Sequence, residues 1–548
     1  MATGGELLMQ AILAQGGRIG FGVPGESYLA VLDAMHGSDF RFVNARHEGG
    51  AAFMAEAWAK LTGEVGLCFV TRGPGATNAS IGVHSAMQAS TPMILFVGQI
   101  STSWREREAF QELDYRAVFG TMAKWVTELD DPARIPEIIA RAWRIAQSGR
   151  PGPVVIALPE DMLSTDLPDT VAPARAVEIV RPAPAPEQID QTRAALTDAK
   201  RPLILAGGGG WRPEGKAALQ KLAEGSGIPV VCAFRNQDLF DNDSPLYAGD
   251  AGVGMTHATK TLLRKADVIL ALGPRFGEMT TDGYTLFNMP EPEQMLIHAH
   301  ADSSEIGKIL QPHIALHADP GAVAAHLTQN PSRGVWSGWA KAARAGVTDL
   351  ITTPAQPSPV DMVAVCAHLR EVLSDDAILT NGAGNFGVWP SRYIPVGGAR
   401  RLLAPQSGAM GYGIPAAIAA SIEEPGREVI CFAGDGDFQM TGMELATAAQ
   451  TGATPIILVL ANRSYGTIRM HQERHFPARV SGTDLENPDF TALARACGLH
   501  GAKVARTEAF ADAFAAARAS RTAAVLELDI AIEALTPTAT LSDIRGQS

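Results

Sequence analysis

Two polar turns in the C-terminal third of the chain have the residue types and spacing of a divalent-cation site. Gly434-Asp435-Gly436-Asp437 follows the predicted strand Val429–Ala433, and Asn462-Arg463-Ser464 follows the predicted strand Pro455–Leu460. In an open parallel sheet, ligands bind outside the carboxyl ends of the strands. Asp435, Asn462 and a backbone carbonyl at Ser464 would supply hard oxygen ligands, too few for Mg²⁺ unless phosphate oxygens complete the set. Asp and Asn are also common in ordinary strand-end turns, but the two strand contexts together favour a shared metal and phosphate site.

Glycines in the same region predict a diphosphate site. Gly434 and Gly436 allow the backbone to approach a diphosphate closely and to present N–H groups to it. The segment 382–387 (GAGNFG) fits GxGxxG after a predicted strand, which alone is a weak sign of dinucleotide binding. No acid that could hold a ribose hydroxyl occurs in 400–408, so we assign this segment to the diphosphate. The predicted cofactor-binding residues of this third are Gly384, Asn385, Phe386, Gly408, Met410, Gly434, Gly436, Asp437, Tyr465, Gly466 and Thr467.

The elements around these turns predict an α/β protein with three doubly wound, parallel-sheet domains. Short apolar runs such as Val65–Val70 and Pro202–Ala206 alternate with helical segments such as Gly50–Leu61. Strands that are apolar on both faces are typical of parallel sheets covered by helices. Two Pro-rich stretches without a clear period are interpreted as linkers. The predicted domains are 1–165, 185–330 and 360–548, with linkers at 166–184 and 331–359.

Composition excludes several classes of protein. The chain has 548 residues, 46% of them hydrophobic and 19% charged, which excludes extensive disorder. A net charge of −13 gives no general electrostatic support for binding nucleic acid or an anionic membrane. The five cysteines include no CxxC pair, and no apolar run approaches the roughly 20 residues of a membrane span. Residues 4–15 are predicted to form a short amphipathic helix, not a signal peptide, and we expect a cytoplasmic protein.

Two motifs in the N-terminal third lead to a family resemblance. Val43–Ala52 (VNARHEGGAA) places Glu48 at a predicted helix start, and Val70–Asn78 (VTRGPGATN) follows a predicted strand. With the Asp435 and Asn462 turns, these motifs resemble those of thiamine diphosphate-dependent enzymes, in the acetohydroxyacid synthase branch. The resemblance extends through the middle domain and covers nearly the whole chain.

The resemblance implies a role for Glu48. In this family a carboxylate hydrogen-bonds the aminopyrimidine ring of the cofactor and favours its imino tautomer, which then removes the thiazolium C2 proton. From position alone, Glu48 would be better explained as an acid favoured by the dipole at a helix start, and the other motifs reverse that preference.

Further residues take roles from the same resemblance. Met410, in the glycine-rich loop 407–413, matches the apolar side chain that holds the cofactor bent. Pro24, Gly73 and Asn78 are predicted to contact the cofactor, and Gln111 is predicted to be catalytic. The first interpretation is decarboxylation of a 2-oxoacid followed by carboligation, as in acetolactate synthase. A 2-oxoacid decarboxylase, a carbon–carbon lyase and a non-catalytic nucleotide-binding relative are the alternatives.

Cofactors and partners are implied in the same way. Thiamine diphosphate and Mg²⁺ are expected, whereas Gly207–Gly210 and Gly273–Phe276 only partly match flavin-binding segments and leave FAD open. The family places the cofactor between the N-terminal domain of one subunit and the C-terminal domain of another. We therefore expect a homodimer or homotetramer that acts on a small 2-oxoacid or a related carbonyl compound.

Two departures from the synthase pattern concern the acceptor. Glu26 stands where the synthases have a small loop and where pyruvate decarboxylase-like enzymes have an acid. His471 stands at about the position of a synthase tryptophan, in a polar, mobile-looking segment. We assign both to catalysis and hypothesise that Glu26 manages a proton or repels a second carboxylate, so that two pyruvates form acetolactate slowly or not at all. The alternative for Glu26 is a helix cap that faces solvent.

Overall fold

The computed structural model describes residues 2–168 and 170–546. It contains three six-stranded sheets in which every neighbouring pair is parallel, packed between helices. The predicted α/β class with three parallel-sheet domains is thereby confirmed.

The N-terminal domain has the sheet order β3-β2-β4-β5-β7-β6, with a small antiparallel pair, β1 and β8, at its edge. All residues of β4 and β5 are buried because helices cover both faces. Its elements are β1 (Ala2–Thr3), α1 (Gly4–Ala14), β2 (Ile19–Gly22), α2 (Leu29–Met35), β3 (Arg41–Asn44), α3 (Glu48–Thr62), β4 (Gly66–Val70), α4 (Pro74–Ala89), β5 (Met93–Gln99), α5 (Tyr115–Phe119), β6 (Trp125–Glu128), α6 (Ile135–Gln147), β7 (Pro153–Pro159), α7 (Glu160–Ser164) and β8 (Asp166–Leu167).

The central domain has the order β11-β10-β9-β12-β13-β14. Its elements are α8 (Pro186–Asp198), β9 (Pro202–Ala206), α9 (Pro213–Ser226), β10 (Val230–Ala233), β11 (Tyr247–Ala251), α10 (His257–Lys265), β12 (Val268–Leu272), β13 (Met295–His300), β14 (Ile314–His317), α11 (Pro320–Gln329) and α12 (Ser337–Ile351). The helix α12 occupies much of the second predicted linker. Trp336, Ala340 and Ala343 are buried at or near its N-terminal half, and Trp336 and Ala343 belong to the core of the central domain.

The C-terminal domain has the order β16-β15-β17-β18-β20-β19, the same topology as the N-terminal domain. Its elements are α13 (Met362–Val372), β15 (Ile378–Asn381), α14 (Val388–Arg392), β16 (Arg401–Leu403), α15 (Gly413–Glu423), β17 (Val429–Gly434), α16 (Asp435–Thr441), α17 (Leu445–Thr451), β18 (Ile456–Ala461), α18 (Gly466–His475), α19 (Phe490–Ala496), β19 (His500–Val504), α20 (Phe510–Ser520), β20 (Ala524–Asp529) and α21 (Leu541–Gly546).

The helix α3 joins the N-terminal and C-terminal domains within one chain. A single apolar core includes Phe53 of α3 and Tyr412 before α15, whose rings meet edge-on at 5.4 Å. The indole of Trp58 donates a hydrogen bond to Glu423 at 2.8 Å. Glycine and alanine dominate α3 and α15, which allows the two helices to pack closely. The position of α3 is therefore set by both domains.

No helix within the described ranges is long and apolar enough to cross a bilayer.

Candidate active site

The predicted residues of the N-terminal domain lie in loops and near the N-terminal ends of helices at the carboxyl edge of its sheet. The strands β2 and β4, neighbours at the point where strand order reverses, lead to the loops with Pro24 and Gly73. A doubly wound sheet forms its ligand crevice at such a switch point. Gly73 has φ +41°, and a Cβ there would lie 2.9 Å from the carbonyl oxygen of Gln111, so these two predicted residues are in close contact. Glu26 is exposed in the one-turn helix Glu26–Tyr28.

Glu48 is the first residue of α3 and is half-buried. Its Oε2 accepts a hydrogen bond from Nδ2 of Asn78 on α4 at 2.9 Å, which brings two predicted residues together. His47 precedes it as the N-cap, and the His47 Nδ1 accepts from the backbone N–H of Gly49 at 3.0 Å. Glu48 is thus held at a helix start through its Oε2. Its other carboxylate oxygen, Oε1, takes no part in the hydrogen bond to Asn78.

In the C-terminal domain, the predicted loops also meet at a switch point, here between β15 and β17. Asn385 follows β15, and its backbone N–H donates to the Thr467 hydroxyl, which follows β18, at 2.9 Å. The Phe386 ring packs against Gly434, where a Cβ would lie 2.7 Å from it. The Tyr465 ring packs against Gly436, where a Cβ would lie 2.5 Å away. The absence of side chains at these glycines is therefore needed for the two rings to close over the loop.

Asp435 is a buried carboxylate at the start of α16. Its Oδ2 accepts hydrogen bonds from the backbone N–H of Arg463 at 2.6 Å and from Nδ2 of Asn487 at 2.8 Å. Burial raises the pKa of this carboxyl, and no ion pair to Asp435 occurs within the described part of the chain. A carboxylate that is desolvated and without a counter-charge is suited to a divalent cation.

The other two predicted ligands lie in the turn that contacts Asp435. Oδ1 of Asn462 accepts from the backbone N–H of Ser464 at 3.0 Å, and the Ser464 hydroxyl donates to the Thr483 carbonyl at 2.9 Å. The Ser464 hydroxyl is therefore engaged, and the Ser464 carbonyl, which accepts from the backbone N–H of Gly466 at 2.7 Å, has its second lone pair for a cation. Among the residues described, no group of three or more His, Cys, Asp or Glu side chains could bind a metal on its own.

Asp437 accepts hydrogen bonds from two other loops at this edge of the sheet, those of Ala383 and Gly411. Its Oδ1 accepts from the backbone N–H groups of Ala383 at 3.1 Å and Gly411 at 2.8 Å, while its Oδ2 is buried without a hydrogen-bond partner. Burial raises the pKa of Asp437 to about 7. Gly411, which has φ +79°, directly follows the half-buried Met410. Exposed Gly408 begins this short loop with φ +68°.

The polar segment after Thr467 forms a helix in the structure. Residues Gly466–His475 form α18, whose Glu473 is fully buried and paired with Arg469 and Arg545. His471 is exposed on this helix and stacks on His475 with ring centroids 6.4 Å apart. Partial burial and the neighbouring Arg474 lower the pKa of His471. The ion pair between Glu473 and Arg545 connects α18 to α21, and the mobility of the segment stays a prediction.

Sequence reasoning missed two residues of this region. Asn487 donates to Asp435 from a loop 52 residues further along the chain, and the Tyr115 hydroxyl accepts from the Gly73 N–H at 2.9 Å. Neither residue lies in a motif. Only the fold brings them to the site.

Comparisons with known proteins agree over most of the chain. Three models of the thiamine pyrophosphate enzyme match: the N-terminal TPP binding domain at residues 2–118, the central domain at 189–327 and the C-terminal TPP binding domain at 382–528. The acetolactate synthase large subunit of Corynebacterium glutamicum is 32% identical over 94% of this chain and 84% of its own. The isozyme 2 large subunit of Escherichia coli is 31% identical over 92% and 91%. The large subunit of Lactococcus lactis is 32% identical over 93% and 89%.

Proposed function

The chain belongs to the thiamine pyrophosphate enzyme family and is a thiamine diphosphate-dependent enzyme, and we propose that it decarboxylates a 2-oxoacid and joins the remaining carbons to an acceptor carbonyl. The observation that carries the proposal is similarity to acetolactate synthase large subunits over more than nine-tenths of the chain. A carboxylate at the start of α3 and a separate cation-suited carboxylate at the start of α16 support it.

The donor sets of the chain fit the cofactor and Mg²⁺. Asp435, Asn462 and the Ser464 carbonyl would hold the cation, and the glycine-flanked turn 434–437 would hold the diphosphate. Glu48 would hydrogen-bond the aminopyrimidine ring and hold a proton at its carboxylate. Met410 would support the bent cofactor. Bound thiamine diphosphate supplies the electron sink that stabilises the negative charge left when CO₂ departs.

FAD is a different case, because the residue types after β10 depart from the pattern of a dinucleotide fold. Arg235 follows β10, where such folds place an acid for the ribose, and it donates to Asn381 of the C-terminal domain at 3.2 Å. A Cβ on Gly208 would lie 2.1 Å from the Gly273 carbonyl oxygen, so the two candidate loops contact each other directly. The proposed reaction therefore has no step through FAD, and the flavin absorbance of purified protein tests this.

A second copy of the chain would complete the site. Apolar side chains close to the predicted loops are exposed in the single chain: Ile81 on α4, 40% exposed, and Met440 and Met443 after Asp435, 46% and 50% exposed. Exposed apolar groups beside a half-site are typical of a surface that another subunit covers. We propose a homodimer or a homotetramer, in which the Glu48 side of one subunit faces the Asp435 side of another.

We expect this chain to differ from its relatives in the acceptor substrate that it uses. Glu26 is exposed in a loop of the switch point between β2 and β4, so its carboxylate would face a second negatively charged substrate. We propose that acetolactate formation from two pyruvates is slow, and that the product is either protonated or joined to an uncharged carbonyl acceptor.

The test is a panel of 2-oxoacids offered to purified protein with thiamine diphosphate and Mg²⁺, with CO₂ and carboligation products both measured. CO₂ release that requires both cofactors, and is lost in Glu48→Gln, supports the proposed function. Absence of CO₂ release from every 2-oxoacid contradicts it. Acetolactate formation from pyruvate at an ordinary rate of about 1–10³ s⁻¹ would leave the synthase reaction standing and contradict the role of Glu26.

A further inference from the structure

Glu444 is a buried carboxylate whose backbone N–H partners come from the opposite domain. It lies in the one-turn helix Gly442–Glu444, between α16 and α17 of the C-terminal domain, and its side chain is 0% exposed. Its two carboxylate oxygens accept from the backbone N–H of Arg46, each at 3.1 Å. Oε1 also accepts from the backbone N–H of His47 at 3.0 Å. The Thr447 hydroxyl donates to Oε2 at 2.5 Å.

These contacts fix the point where α3 begins. Arg46 and His47 directly precede Glu48, and their N–H groups have no acceptor within the helix. A carboxylate satisfies both groups and is favoured by the positive end of the helix dipole. The fit is close, since a Cβ on Gly50 would lie 2.4 Å from the Glu444 Oε1. The N-terminal end of α3 is thus in direct contact with a side chain of the C-terminal domain, that of Glu444.

One short helix connects this contact to the predicted cation site. Asp435 is the first residue of α16, and Glu444 follows the end of that helix at a separation of nine residues. α16 therefore links the predicted cation site to the contact at the start of α3. We propose that Glu444 is a positioning residue for Glu48, which holds the Glu48 carboxylate in the geometry that its proton chemistry needs. The role rests on the proposed function, because it assigns Glu48 to the cofactor.

The first experiment is Glu444→Gln in the full-length enzyme. Glutamine keeps the shape but places an amide donor against the N–H of Arg46 or His47. We expect kcat to fall about 10–100-fold with KM within about threefold, because small misplacement of a reacting group costs rate more than binding. In the cofactor-free protein, hydrogen exchange at the Arg46 and His47 amides should speed up at least about tenfold.

Glu423→Gln is the matched control. Glu423 is also a carboxylate of the C-terminal domain that accepts an N–H from α3, but at Trp58, near the other end of the helix. Its replacement should leave kcat and the exchange of the Arg46 and His47 amides unchanged. An equal fall of kcat in Glu423→Gln would mean that any loosened contact to α3 has this effect, and would overturn the proposal.

A double-mutant cycle separates positioning of Glu48 from general damage. If Glu444 acts through Glu48, Glu444→Gln should lower kcat no further in a Glu48→Gln background. An equal fall in both backgrounds would overturn the proposal. If Glu48→Gln itself kept normal kcat, the proposed function would fail, whereas the amide exchange would still report the contact.

A milder variant covers the case in which Glu444→Gln does not fold. Thr447→Val removes one hydroxyl that orients the Glu444 carboxylate. It should lower kcat about two- to fivefold and speed exchange at the same two amides. Unchanged kcat together with unchanged exchange would overturn the proposal.

Discussion

The buried acid Asp437 makes the stability of the C-terminal domain depend on pH in a way that one substitution removes. In the cofactor-free protein, its Oδ1 is hydrogen-bonded by Ala383 and Gly411, but its buried Oδ2 has no partner. Burial raises the pKa of Asp437 from 3.8 to about 7. Asp437→Asn keeps the shape of the side chain and cannot ionise.

The sign and size of the effect follow from this pKa. The Asp437 carboxyl holds its proton more tightly in the folded state than in the unfolded state. Its contribution to the free energy of unfolding is therefore fully present below about pH 4. It is lost as pH rises through about 7, at about 1.4 kcal/mol per pH unit. Between about pH 5 and pH 8, the wild type should lose about 3 kcal/mol relative to Asp437→Asn.

Hydrogen exchange of the β17 amides measures this loss, because it reports the free energy of opening within the domain itself. The control is Asp375→Asn, which replaces a fully exposed carboxylate in the same domain and should leave the opening free energy parallel to that of the wild type. Parallel curves for wild type and Asp437→Asn across this range would refute the reasoning, since they would mean that the Asp437 carboxyl is not desolvated.

Three further predictions concern the cofactors and the product. Glu48→Gln should lower turnover about 10²–10⁴-fold, measured as CO₂ release, since it removes the carboxylate assigned to proton transfer; near-normal turnover would contradict that role. Asp435→Ala should weaken thiamine diphosphate binding at limiting Mg²⁺, measured by fluorescence titration, because the remaining oxygen ligands cannot compete with water; unchanged affinity would exclude Asp435 as a ligand. Glu26→Gly should increase acetolactate formation from pyruvate, assayed by product analysis, because it removes a like charge from the acceptor side; an unchanged product ratio would favour the solvent-facing cap.

Most strands whose residues are all buried were predictable from the sequence, whereas the short buried strand β2 and the less apolar strands β3 and β19 were not. β9, β12 and β20 have the predicted bounds 202–206, 268–272 and 524–529, since apolar residues occupy all of the first two and most of the third. β3 and β19 were missed, because most of their residues are only partly buried and their apolar runs are short. Edge strands lack a layer of helix on one side, and their sequences carry a weaker signal.

The candidate site likewise has residues that the sequence predicts and residues that it does not. The types and order of Glu48, Asp435 and Asn462 follow from the sequence, because local motifs after strands specify which groups enter a crevice. The partners of these groups do not. Asn487 reaches Asp435 from 52 residues away, and Glu444 reaches Arg46 and His47 from almost 400 residues away.

The sequence by itself determined the α/β class, the three sheets and the residue types that could bind Mg²⁺ and a diphosphate, since strand burial and loop composition are local properties. The tertiary structure alone decided the strand order that creates two switch points, the closure of Phe386 and Tyr465 over the glycines, and the seat of α3 on Glu444. It also decided the burial that raises the pKa values of Asp435 and Asp437. Desolvation and hydrogen bonding depend on every group that packs around an atom, and such groups are brought together by the fold from distant parts of the chain.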